Sequence, residues 1–532
     1  MLFTSYGFIA FVAAVILLYY IVPKKTQWML LLAASYFFYA FSGLWNFAFI
    51  ISVTVSCYVI ARIIARMKER EDAEVELNRE TWTKDERKQY RAKKKKNRLW
   101  VLILGIVINV GILAVIKYTA FALTNVNSLL SLFGAGQITI PKLLLPMGIS
   151  FFVFQSVAYL IDVYRGKTFA EKNIARFALF VSFFPQLVQG PISRHSDLAK
   201  QLYEPHKFNV VNLKFGLQRI LWGFFKKLVI ADRIMVAIKP LIATDTTYDG
   251  AYVFLLIIFY SIQIYADFTG GIDITIGIAE TFGMRLAENF NRPFSSRSTK
   301  EYWNRWHITM GSWFNDYIFL PLSVSKPLLK LSKSVRSKDS RFMKGLGKRI
   351  PVYTATIVTW FLTGLWHGAA WNFIVWGMLN CLVILVSQEC EPLYRRFRNK
   401  CPKLVASYPY HCFEAIRTFL LMGLIRSLDC YRNVGITFSM WGSMFTKFNW
   451  NEVFGGGLAS LGLKVVDYVI IAIAIVIVFI VSKLGQKRDL RQELVGKTAL
   501  SWTLAGVMLV IILLFGAYGM GYDASQFIYN QF

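Results

Sequence analysis

The chain has 532 residues, of which 55% are apolar and 16% aromatic, and only 17% are Asp, Glu, Lys or Arg. Soluble proteins carry about 25% charged residues, and a soluble chain this apolar would expose too much hydrocarbon to stay dissolved. The same figures exclude disorder, and six scattered Cys with no CxxC pair exclude a disulfide scaffold or a zinc site. In a soluble protein the net charge of +29 would suggest nucleic acid. Here the cations lie between apolar stretches, where they set topology, so no nucleic-acid partner is expected. The expected fold class is all-α: a polytopic bundle of membrane helices in contact with lipid.

Residues 1–23 carry no charge, and Lys24 and Lys25 follow them. A signal peptide has its cations first, so this stretch reads as an uncleaved anchor with its N-terminus outside. Apolar stretches at 28–44 and 45–64 come next. Residues 62–98 then hold 14 Lys or Arg and 8 Asp or Glu, the composition of a solvated helical hairpin on the cytoplasmic side. Further apolar segments start near Leu99, Leu143, Phe215, Ala251, Trp303, Pro351, Cys412, Val465 and Ala499. Residues 176–201 are interrupted by Pro185, Gly190 and Pro191 and read as re-entrant or interfacial. At about 20 residues per crossing this makes roughly eleven to thirteen membrane segments. The basic loops 323–349, 391–403 and 483–497 join 62–98 on the cytoplasmic side. Segment 431–463 and the C-terminus are then extracytoplasmic. The chain divides into N-terminal helices with the basic hairpin (1–142), a central core (143–390) and C-terminal helices (391–532).

Two of the five His stand out. Residues 350–388 contain no Asp, Glu, Lys or Arg, and His367 is their only His. Both flanking loops are assigned to the cytoplasm, so the segment crosses twice, with its turn near 364–370. An ionisable residue at such depth is expensive and marks a functional position by default, although a hydrogen-bonded packing role is equally open. Gly364 and Gly368 share a helix face and permit close approach. His307 lies in the aromatic run 301–317, where a helix would place His307, Gly311 and Phe314 on one face, with Asn304 one turn before. Seven of the fifteen Trp fall between 303 and 376, which also suits an interfacial belt. His195, His206 and His411 read as surface or interfacial residues. Asp267, four residues after Gln263 on an apolar span, and Asp273 are expected to pair with Arg292 or Arg305. No P-loop, GxSxG or HExxH motif occurs, so ATP-driven transport and metal-dependent hydrolysis have no support and no metal is expected.

The runs Asn289-Phe290-Asn291-Arg292-Pro293-Phe294 and Tyr302-Trp303-Asn304-Arg305-Trp306-His307-Ile308-Thr309, then Asp316-Tyr317 and Gly364-Leu365-Trp366-His367-Gly368, resemble the signature of the membrane-bound O-acyltransferases. The resemblance spans 143–385 and is strongest to the bacterial branch that includes the alginate O-acetylation membrane protein. It makes 143–390 the catalytic core and implies a bundle with a central funnel or tunnel. It also implies acyl transfer from a cytosolic thioester, acetyl-CoA or another, to a hydroxyl of a cell-surface polysaccharide or relay. No bound cofactor is expected. His367 matches the family His and His307 the second polar position. Asn304, Arg305, Trp306, Trp366 and Asp267 are expected to bind or position substrate. His367 would take the hydroxyl proton, while Trp366 or His307 would donate to the oxyanion. The branch implies a separate extracytoplasmic partner resembling an SGNH hydrolase. D-alanyl transfer from a carrier protein toward teichoic acid is the alternative within the class. A proton-coupled transporter of an acyl donor or glycan is the alternative outside it.

Overall fold

The computed structural model describes residues 3–243, 248–338, 340–486, 488 and 490–518. Among these every regular element is helical, and the one β-type contact is an isolated antiparallel bridge between Phe290 and Trp306. It packs as two units: residues 1–216 with 278–287, and residues 217–277 with 288–532.

The first unit begins with α1 (Tyr6–Ile21), α2 (Gln27–Ala40), α3 (Asn46–Leu77), α4 (Lys84–Leu132) and α5 (Ile149–Arg165). The basic hairpin is not a separate element. α3 runs uninterrupted from apolar into charged sequence and α4 from charged into apolar sequence, and Thr83 caps α4 in a reciprocal capping box with Glu86. Within the hairpin Arg98 pairs with Glu71 at 2.9 Å, both buried. Lower down, Ser56 donates to Asn109 Oδ1 at 2.9 Å, tying the two helices together. Residues 176–201 break where expected, into the short helices Ile174–Ser182, Phe184–Leu187 and the start of His195–Tyr203. His195 departs from the expected surface position. It is 2% exposed, packed among Tyr159, Phe169 and Phe180, and 3.0 Å from the Thr168 hydroxyl. Burial pushes its pKa down to about 4, so it stays neutral.

The second unit contains most of α6 (Val210–Phe224), then α7 (Asp232–Leu241), α8 (Ala251–Thr281) up to residue 277, α9 (Thr299–Arg305), α10 (Ile308–Phe314), α11 (Arg341–His367), α12 (Trp371–Glu389), α13 (Tyr408–Tyr431), α14 (Val465–Leu484) and α15 (Thr498–Phe515). Among the described residues six helices are long and apolar enough to cross a membrane: α3, α4, α8, α12, α14 and α15. That is fewer than the eleven to thirteen expected, because several apolar stretches fold as helices too short to span. α1 has 16 residues and α2 has 14, against about 20 for a full crossing. The apolar stretch at 499–522 ends as a helix at Phe515, and its last residues and the C-terminus lie outside the described ones. Burial separates an inner helix from peripheral ones. In α8, 67% of the apolar window is buried, against 11% in α14, the mark of a helix covered by lipid rather than protein.

Between α6 and α7 the helix widens into a π-helical segment, Phe225–Ala231, carrying Lys226 and Lys227. A π turn alters which side chains share a face. The two consecutive lysines thereby reach two acids six residues apart on α8. Close approach is possible because Gly223 meets Gly270: a Cβ on Gly223 would lie 2.5 Å from the Gly270 carbonyl oxygen.

Candidate active site

His307 is buried at the point where the expected helix 301–317 breaks. α9 ends at Arg305, Trp306 is extended, and His307 takes a left-handed conformation (φ 49°) as the residue before α10. The cause is a non-local backbone contact. Residues 289–291 lie antiparallel to 305–308, with the Asn291 amide donating to the Arg305 carbonyl and the Ile308 amide to the Asn289 carbonyl, each at 2.9 Å. Arg292, at the other edge of the bridge, is also left-handed (φ 50°). Such conformations in residues other than glycine cluster at functional sites. The break corrects the expected register. Asn304 is not one helical turn from His307, and it is exposed on α9.

The His307 side chain is fixed on three sides. Nδ1 lies 3.1 Å from Asn289 Oδ1, Phe268 of α8 meets the ring edge-on at 4.9 Å, and Trp366 of α11 stands 6.2 Å away, ring centre to ring centre. Phe314 also packs on Trp366, at 6.5 Å, but His307 precedes the helix and Gly311 is exposed, so the expected shared face of His307, Gly311 and Phe314 is not formed.

His367 is the last residue of α11. The turn falls at 368–370, within the expected interval, and α12 returns from Trp371. Here Gly364 and Gly377 let the arms touch: a Cβ on Gly377 would lie 2.5 Å from the Trp360 carbonyl oxygen and 3.1 Å from Gly364 Cα. His367 packs against Trp366 at 5.0 Å and Trp376 at 4.6 Å. The Trp366 indole therefore contacts both imidazoles. The Trp-rich stretch forms a packed cluster and not a surface belt. Trp303, Trp360 and Trp376 meet one another within 6.2 Å, and Trp303 Nε1 donates to Asn380 Oδ1 at 3.2 Å. Trp371, 57% exposed, is the exception.

Trp306 is buried beneath Arg426, whose guanidinium sits 4.0 Å from the ring centre and donates to the Tyr302 hydroxyl at 2.7 Å. Arg305 pairs with Glu301 at 2.6 Å and reaches the Arg292 carbonyl at 3.4 Å. Neither Arg292 nor Arg305 pairs with the acids of α8, which corrects that expectation. Asp267 binds Lys227 at 2.6 Å, and Lys227 also binds Asp232 at 2.7 Å. Asp273 binds Lys226 at 2.5 Å and Arg219 at 3.0 Å. Sequence reasoning missed both lysines, although adjacent Lys226 and Lys227 in the middle of the mostly apolar stretch 215–238 were the available signal.

Beside this centre lies a pocket of about 240 Å³ lined by Trp222, Lys226, Tyr265, Asp273, Phe290 and Arg292, among others. Phe290 joins the two, since its ring packs on Trp306 at 5.0 Å and Phe268 at 4.9 Å.

A buried imidazole, His307, and a half-buried one, His367, set around one indole in a membrane helical bundle, are equipped for proton transfer to and from a reacting hydroxyl. The chain belongs to the membrane-bound O-acyltransferase family, whose sequence profile matches residues 169–337 and 343–416. It is 32% identical to a probable alginate O-acetylase of Azotobacter vinelandii, over 70% of this chain and 69% of the relative. It is 32% identical to a peptidoglycan O-acetyltransferase of Helicobacter pylori, over 58% of this chain and 59% of that one. To a teichoic acid D-alanyltransferase of Bacillus subtilis it is 27% identical, over 48% and 60% respectively.

Proposed function

We propose that this O-acyltransferase moves an acetyl group from a cytosolic thioester, such as acetyl-CoA, to a hydroxyl of an extracytoplasmic cell-surface polysaccharide or of a relay partner. The observation that carries the reading is the placement of His307 and His367 on one Trp366 indole. A hydroxyl is a poor nucleophile until a base removes its proton, and a positioned base contributes about 10²–10⁴-fold. The imidazole pair supplies that base. The Trp366 N–H is suited to the oxyanion of the tetrahedral intermediate. The O-acetyl relatives match more of the chain, and at higher identity, than the D-alanyl one, which favours acetyl over aminoacyl transfer.

Three further features belong to the proposal. Both termini are extracytoplasmic. A passage through the bundle, a funnel or tunnel, serves donor and acceptor from opposite faces. An SGNH-hydrolase-like partner docks outside and completes transfer to the polymer.

The test is acetyl transfer by purified protein in liposomes with radiolabelled acetyl-CoA, comparing wild type with His367→Ala. The expected loss is about 10²–10⁴-fold. A folded, inserted His367→Ala protein with full transfer would overturn the assignment. Activity only with an aminoacylated carrier protein would replace acetyl by D-alanyl transfer.

A further inference from the structure

Asn289 is fully buried, and three groups converge on its side-chain oxygen. The Thr309 amide lies 3.0 Å from Oδ1, the Thr309 hydroxyl 2.9 Å and His307 Nδ1 3.1 Å. A backbone N–H can only donate, so the atom it meets must be the amide oxygen and not the nitrogen. An amide oxygen can only accept, so the His307 nitrogen facing it carries a proton. A neutral imidazole has one N–H, and its lone pair therefore sits on Nε2.

The rest of the setting holds this tautomer in place. The Ile308 amide donates to the Asn289 carbonyl, fixing the two residues' backbones to each other. Phe268 and Trp366 limit rotation of the ring. Asn289 Nδ2 has no hydrogen-bond partner among the described residues. A buried donor without a partner is unfavourable, so the side chain is held through its oxygen alone.

We propose that Asn289 is a positioning residue that makes His307 the proton acceptor in acyl transfer. The proposal rests on the O-acyltransferase reading and divides the roles of the imidazole pair: His307 takes the acceptor proton, in place of the His367 expected from the sequence, and His367 packs the Trp366 indole at 5.0 Å. The acceptor hydroxyl gives its proton to His307 Nε2, and its oxygen bonds to the thioester carbonyl carbon. The C–S bond breaks, and the leaving thiolate takes the proton back from Nε2. Ester and thiol result, and His307 is again neutral. The Asn289 oxygen faces the imidazolium that forms in between, as a dipole matched to transient charge. While the oxyanion exists, the Nε2–H is committed to the leaving sulfur, so the oxyanion contact falls to Trp366 and not to His307.

Nitrogen-15 spectra of histidine-labelled protein in lipid test the tautomer without turnover. A His307→Gln sample identifies the signal among five histidines. The expected wild-type spectrum has Nδ1 protonated and Nε2 bare. In Asn289→Leu the Nε2–H form becomes populated, and kcat falls about 10²-fold with little change in the donor KM. Asn289→Asp keeps the acceptor, keeps the Nδ1 proton and restores most of kcat. Wild-type His307 protonated on Nε2 overturns the proposal, as does Asn289→Leu with unchanged tautomer and rate. If Asn289→Leu fails to fold, the wild-type spectrum and Asn289→Asp still decide. The bare Nε2 with no transfer from any thioester would overturn the functional reading, leaving the tautomer assignment intact.

Discussion

Lys227 and Asp267, both with no exposed side-chain surface, form an ion pair of 2.6 Å inside the second unit. The lysine also holds Asp232 at 2.7 Å, so one cation serves two carboxylates. Removing one partner of a buried pair leaves an uncompensated charge, at a cost of about 3–5 kcal/mol. Lys227→Met strands two acids, whereas Asp267→Asn leaves the lysine with Asp232. Lys227→Met should therefore lower the unfolding temperature in detergent more than Asp267→Asn does. Equal losses would show that Lys227 does not serve the two carboxylates together, and no loss in either variant would show that the cluster contributes little to stability.

The arms of the α11–α12 hairpin touch backbone to backbone at Gly377. A Cβ there would lie 2.5 Å from the Trp360 carbonyl oxygen, and no flexible side chain is present to yield. Gly377→Ala should separate the arms, costing about 1–3 kcal/mol. Because His367 ends one arm, transfer should also fall, by up to about 10²-fold for a displacement of about 1 Å. Gly111→Ala is the control, since nothing lies within 4 Å of its added methyl. It should keep both stability and rate. Gly377→Ala with wild-type activity and melting behaviour would refute the close-contact argument.

Local pattern made much of this legible. The spans of α12 and α14 follow from long apolar runs with charges only near their ends, that of α8 from apolar length in spite of Asp267 and Asp273, and the turn at 368–370 follows from one isolated His in a 39-residue uncharged stretch between two basic loops. What remained hidden depends on contacts distant in sequence. The run 301–317 has a helical pattern, and it breaks only because residues 289–291 bind its backbone at 305–308. Nothing local to His307 announces that partner. Likewise, Lys227 and not an arginine meets Asp267 because α6 and α8 approach at Gly223 and Gly270. Asn289 stood inside a recognised motif, but its role depends on Thr309, twenty residues on, fixing which way the amide points.

Arg426 connects the Trp-rich cluster to the residue beside His307. Its guanidinium carbon stands over the Trp306 ring, 4.0 Å from the ring centre, while one N–H reaches the Tyr302 hydroxyl at 2.7 Å. Tyr302 and Trp306 are themselves nearly parallel, at 13° with centres 5.6 Å apart. Lysine keeps the charge but not the plane or the paired donors. A desolvated cation–π contact is worth about 2 kcal/mol. Arg426→Lys should therefore lower stability by about 1–2 kcal/mol and slow transfer, because Trp306 directly precedes the strained His307 backbone. Arg426→Met, of similar length and uncharged, separates the two contributions. If stacking and shape dominate, Met and Lys should behave alike in unfolding temperature and kcat. If charge dominates, Lys should retain most of the wild-type values while Met loses them.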